Sequence, residues 1–141
     1  MTKVDFHVLP LQARRQHDVY VCQVVERAWR AGQRVHIHCL DRDMQEALDE
    51  LLWTFSDTSF LPHAAVDSDD AAASAVTLGC AERLPTQAEV LVNLDVAVPP
   101  FFSQFERVIE TTGSDEHEKT QARQRYRFYK DRGYPIDTIN A

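Results

Sequence analysis

The chain has 141 residues, a formal net charge of −7 and a hydrophobic fraction of 44%. That length and composition suit one domain, spanning residues 1–141, with a core of real size, and so negative a chain is repelled by nucleic acid over most of its surface. No apolar run approaches the roughly 20 residues that span a bilayer, the N-terminus MTKVDFHVLP lacks a signal-peptide pattern, and Cys22, Cys39 and Cys80 include no CxxC. The expectation is a cytoplasmic protein without a disulfide framework or a zinc ribbon.

Residues 4–9 alternate as a strand that Pro10 ends. Val21, Cys22, Val25, Ala28 and Trp29 form one apolar stripe of a helix, with Gly32 as its C-terminal stop. Residues 34–39, RVHIHC, predict a short β-branched strand. Asp41 is a good N-cap for the next helix, where Met44, Ala47, Leu48, Leu51, Leu52 and Phe55 recur at helical spacing. The order βαβα argues for a parallel sheet covered by helices. Residues 64–74, AAVDSDDAAAS, read as an exposed acidic connection. Short strands are expected at 75–78, 90–94 and 107–111, with Pro99-Pro100 in a loop between the last two. A final helix runs over about 115–132, Gly133 closes it, and a short tail follows. The expected fold is three-layer α/β, with a mostly parallel sheet of about five strands flanked by helices.

Chemistry-bearing motifs are absent from this frame. The first βα connection, residues 10–15, has no glycine, so its backbone cannot close around a pyrophosphate as a GxGxxG turn does, and no GxxxxGK[ST] occurs. His36 and His38 share a strand face beside Cys39, yet no third ligand stands at a useful spacing. Polar residues at a sheet edge or strand end account for them better than a metal does. His63 is equally isolated. GxSxG and HExxH are missing, and Glu46, Asp49 and Glu50 are the solvated face of a helix. No catalytic, cofactor-binding or metal-binding residue is assigned. Residues 48–63, LDELLWTFSDTSFLPH, hold more large apolar groups than one core can face. Most of them belong to a core, and the remainder would form a patch for a partner protein.

Residues 119–132, KTQARQRYRFYKDR, are the most informative stretch. Six basic residues and one acidic residue give it a local +5 and leave −12 on the rest of the chain. At 3.6 residues per turn Lys119, Arg123, Tyr126 and Lys130 share one helix face, while Ala122 and Tyr129 are its core contacts. Fixed positive charge beside an aromatic ring suits a carboxylate-terminated peptide or a single-stranded nucleic acid. The bland alternative is a solvated basic face whose cations favour the helix dipole.

Five segments in order, ERAWRAGQRVHIHC (26–39), LDELLWTFSDTSFLPH (48–63), EVLVNL (89–94), FERVIE (105–110) and ARQRYRFYKDRGY (122–134), resemble the chi subunit of bacterial DNA polymerase III nearly end to end. The resemblance implies a nucleotide-binding-type α/β fold without a nucleotide site. It implies a non-enzymatic accessory subunit that reaches DNA only indirectly, with no cofactor and no membrane contact. Such a subunit docks the acidic C-terminal tail of single-stranded DNA-binding protein, which ends in Pro-Phe-carboxylate, and bridges it to the clamp loader through the psi subunit. It is expected to be a monomer alone and part of a heteromer in the holoenzyme. Carried onto this chain, Lys119 and Arg123 meet the tail's carboxylates and Tyr126 walls the pocket for its terminal Phe. Phe60, with Trp53 and Pro62, is the region implied for psi. Direct binding of single-stranded nucleic acid through the same basic helix is the alternative, which the acidic remainder opposes.

Overall fold

A computed structural model describes residues 2–10, 14–56 and 60–140, with only the backbone at 14 and 15. Residues 11–13 of the glycine-free connection and 57–59 of the apolar segment lie outside the described residues. The strands are β1 (Lys3–Val8), β2 (Val35–His38), β3 (His63–Ala65), β4 (Val76–Gly79), β5 (Val90–Asn93), β6 (Arg107–Thr112) and β7 (Ile136–Asn140). The helices are α1 (Arg14–Arg30), α2 (Arg42–Thr54) and α3 (Glu116–Asp131). All seven strands run parallel in the order β3-β4-β2-β5-β6-β1-β7, so β3 and β7 are the two edges.

Strand parity builds three layers. Val35, Ile37, Val76, Leu78, Val90, Val92 and Ile109 point to one face, where Val21 and Val25 of α1 and Leu48, Leu51 and Leu52 of α2 cover them. Val4, Phe6, Leu91 and Val108 point to the other, against Ala122 and Tyr129 of α3 and three phenylalanines, Phe101, Phe102 and Phe105. Central parallel strands buried on both faces read as near-continuous apolar runs, as VLVN in β5 does.

The helix ends follow the expected chemistry. Asp41 accepts from the Met44 N–H at 2.9 Å, a cap that contributes about 1 kcal/mol. Asp115 likewise accepts from His117 N–H at 2.8 Å. α1 and α3 each end on a glycine at positive φ, Gly32 at 84° and Gly133 at 79°. In both, the next residue's N–H reaches back to the last turn: Gln33 to the Ala28 carbonyl at 3.0 Å and Tyr134 to the Tyr129 carbonyl at 3.2 Å. The second turn steers the chain through Pro135 into β7 alongside β1.

Several expectations are corrected. Among the described residues the sheet has seven strands rather than about five. The segment read as an exposed connection begins inside β3, with Ala64 and Val66 buried; three residues rich in alanine carry no alternating pattern. The tail is strand β7, an edge whose residues are mostly exposed, so its pattern shows no apolar face. α1 starts at Arg14, because its first turns are polar and the stripe appears only further on. His36 and His38 sit in central β2 rather than at an edge; His36 lies within the strand, and His38 is at its C-terminal end, as a strand-end polar residue was expected to be. The phenylalanine segment after Pro99-Pro100 roofs them: Phe105 stacks on His36 at 6.3 Å and Phe101 meets His38 edge-on at 5.2 Å.

Candidate functional site

α3 docks through a buried polar anchor. On its inner face Ala122, Arg125 and Tyr129 are buried at i, i+3 and i+7. Arg125 Nε donates to Glu110 Oε1 at 2.9 Å, Tyr129 Oη to Glu110 Oε2 at 2.7 Å, and Asn93 Nδ2 to the same oxygen at 2.9 Å. A second Arg125 nitrogen donates to the Val96 carbonyl at 3.1 Å. Burial raises the Glu110 pKa, while the Arg125 guanidinium and the Asn93 and Tyr129 donors pull against it. Burial followed by the Glu110 charge raises the Tyr129 phenol. One of the six cations of the basic stretch is therefore structural. Glu110, a lone carboxylate in the strand RVIETT, was the sequence signal that such a partner had to exist.

With that face anchored, the next face of α3 borders an open cleft of about 330 Å³ lined by Phe6, Val8, Thr112, Lys119, Ala122, Arg123, Tyr126 and Thr138. The floor comes from β1, β6 and β7; periodicity within α3 could not supply those residues. Tyr126 forms one wall, held edge-on to Phe6 at 5.6 Å. Arg123 is exposed and, among the described residues, has no ion-pair or hydrogen-bond partner. Lys119 is half-exposed, with Glu116 at 3.9 Å. Lys130, grouped with these by spacing, does not line the cleft. An apolar floor, a ring wall and two rim cations together suit an apolar side chain bearing a carboxylate.

At the opposite edge of the sheet the second group of expected residues is solvent-facing. Trp53 is 60% exposed and Phe60 81% exposed, and Pro62 is exposed beside a buried Leu61. Trp53 leans on His63 at 4.4 Å between ring centroids. His63 is pinned by the carbonyls of Leu61 and Asp49, at 2.8 and 3.0 Å. Phe55, from the same apolar segment, packs against the core.

Residues 1–137 match the family profile described as DNA polymerase III chi subunit, HolC. The chain belongs to the DNA polymerase III chi subunit family. It is similar to the DNA polymerase III subunit chi of Pseudomonas aeruginosa, at 35% identity over 96% of this chain and 94% of the relative. The chi subunit of Escherichia coli is 29% identical over 84% and 81%, and that of Haemophilus influenzae 26% identical over 96% and 95%. Membership of this family makes the chain a replication accessory subunit of the polymerase III holoenzyme.

Elsewhere the chemistry is quiet. Burial, with nearby charges adding, pushes the Cys22 and Cys39 thiols up to about 12, so both stay protonated. Among the described residues no three His, Cys, Asp or Glu side chains converge to hold a metal ion. No described helix is long and apolar enough to cross a membrane.

Proposed function

We propose that this chi-family chain is a non-catalytic adapter. Its α3 cleft takes the acidic C-terminal tail of single-stranded DNA-binding protein, and its Trp53–Phe60 edge contacts the psi subunit of the clamp loader. The observation that carries the reading is the meeting of Lys119, Arg123 and Tyr126 over the apolar floor of Phe6, Val8 and Ala122. A tail ending in Phe would place its ring on that floor and its terminal carboxylate under Arg123, whose planar fork grips a carboxylate bidentately.

The layout also supports bridging. β7 bounds one cleft and β3 borders the other patch, so six strand spacings, about 29 Å, separate them. Two partners can sit on the chain at once without collision. Several tails on one oligomer of the DNA-binding protein would raise the effective concentration at a single cleft.

Arg123→Ala tests the reading. A lost charge-assisted contact weakens tail binding about tenfold to a hundredfold, and an exposed side chain without partners leaves the melting temperature unchanged. Arg123→Lys recovers only part of the binding, because an ammonium keeps the charge but not the fork. Tail binding by Arg123→Ala at wild-type strength would remove the assignment.

A further inference from the structure

The two sites at the ends of the sheet differ in local charge, with Lys119 and Arg123 at the α3 cleft and Glu46, Asp49 and Glu50 at the α2 groove. The β7 edge carries α3 and its cations, and the β3 edge carries acids. On α2, Glu46, Asp49, Glu50 and Trp53 stand at i, i+3, i+4 and i+7, so the three carboxylates and the indole form one stripe. They line a groove of about 340 Å³ with Arg42, Gln45 and Ala65 of the edge strand. Glu46 and Glu50 are exposed, and Asp49 is partly so. Among the described residues lining the groove the cation is Arg42, which lies 3.9 Å from Asp67 in the acidic connection after β3. The rim beside the exposed Trp53 and Phe60 is thus net negative even with Arg42 counted.

We propose that the α2–β3 edge is built for a basic segment. Its occupant is a partner stretch that lays an apolar side chain on Trp53 and Phe60 and points flanking lysine or arginine side chains at Glu46, Asp49 and Glu50. This inference rests on the reading of that edge as the psi contact and adds the chemistry of what docks there. An apolar anchor inside a charged rim is the usual division of labour at an interface: the anchor carries affinity, and the rim sets encounter rate and partner choice. The same acids repel an acidic tail, so each edge rejects the ligand of the other.

The test titrates this chain with purified psi subunit by calorimetry at about 0.1 M and about 1 M NaCl, between which the screening length falls from about 10 Å to about 3 Å. Glu46→Lys/Glu50→Lys should weaken binding about tenfold at the lower salt, through repulsion in place of attraction. Glu46→Gln/Glu50→Gln should fall between the two, and the differences should shrink at high salt. Tail-peptide binding by each variant reports that the fold is intact. Psi affinity unchanged by the charge reversal, with Phe60→Ala still weakening it, would overturn the basic-segment inference and leave the psi contact standing. A wild-type chain that fails to bind psi, or a Phe60→Ala variant that binds normally, would overturn the edge assignment and this inference with it.

Discussion

Arg125→Ala should be the most damaging single change in the basic helix, although it removes one cation among six. The Arg125 side chain is 8% exposed and its partner Glu110 is 0% exposed. The variant strips Glu110 Oε1 of its 2.9 Å donor and the Val96 carbonyl of its 3.1 Å donor. Breaking a buried pair from one side leaves an uncompensated charge and costs about 3–5 kcal/mol. At about 2.1 cal/mol/K per residue, the unfolding entropy of this chain is about 0.3 kcal/mol/K, so the melting temperature should fall by about 10–17 °C. Differential scanning calorimetry reads the shift directly. Adding Glu110→Gln to Arg125→Ala should recover part of it, because no buried charge is then stranded. Melting of Arg125→Ala within about 3 °C of wild type, well short of that cost, would refute the buried-pair argument and return Arg125 to the solvated face.

Two further outcomes concern stability. Burial, with His38 adding, lowers His36 from 6.5 to about 4, so the unfolded chain binds the proton first. Stability is then fully present above about 6.5 and is lost as pH falls toward 4, in total by about 3 kcal/mol and by about 2 kcal/mol at pH 5. His7, also lowered by burial, acts in the same direction. Urea denaturation between pH 7 and pH 5 should show a steeper loss for wild type than for His36→Asn, and parallel curves would contradict it. A Cβ on Gly79 would lie 3.0 Å from Val66 Cγ1 and 3.2 Å from His36 Cε1. Gly79→Ala should therefore destabilise by about 1–3 kcal/mol, and a variant as stable as wild type in the same assay would show that Val66 and the His36 ring yield freely.

The legible parts of this fold are those where one periodicity dominates. α2 was readable because Asp41 caps a helix whose apolar residues recur at 3.6, and β5 because a run of Val and Leu fits a doubly buried strand. β3 and β7 were not, because edge strands need no apolar face, and β3 owes its place to α2 packing over it. Half of the cleft was legible for the same reason. Lys119, Arg123 and Tyr126 lie on one helix and obey its spacing, whereas Phe6, Val8, Thr112 and Thr138 reach the cleft only through the pairing of β6, β1 and β7. Arg125 was hidden by its neighbours in a charge run, and only Glu110, a carboxylate in β6 fifteen positions away and outside any local pattern, hinted at its burial.

The adapter reading turns most directly on fluorescence anisotropy of a labelled acidic peptide ending in Pro-Phe, titrated with this chain at about 0.1 M salt, where rim charges still act over about 10 Å. The peptide is used with a free and with an amidated C-terminus. The account predicts binding by the free acid and a large loss on amidation, because Arg123 and Lys119 are placed to answer the terminal carboxylate. Equal binding of the two forms, or no binding of either, would contradict it.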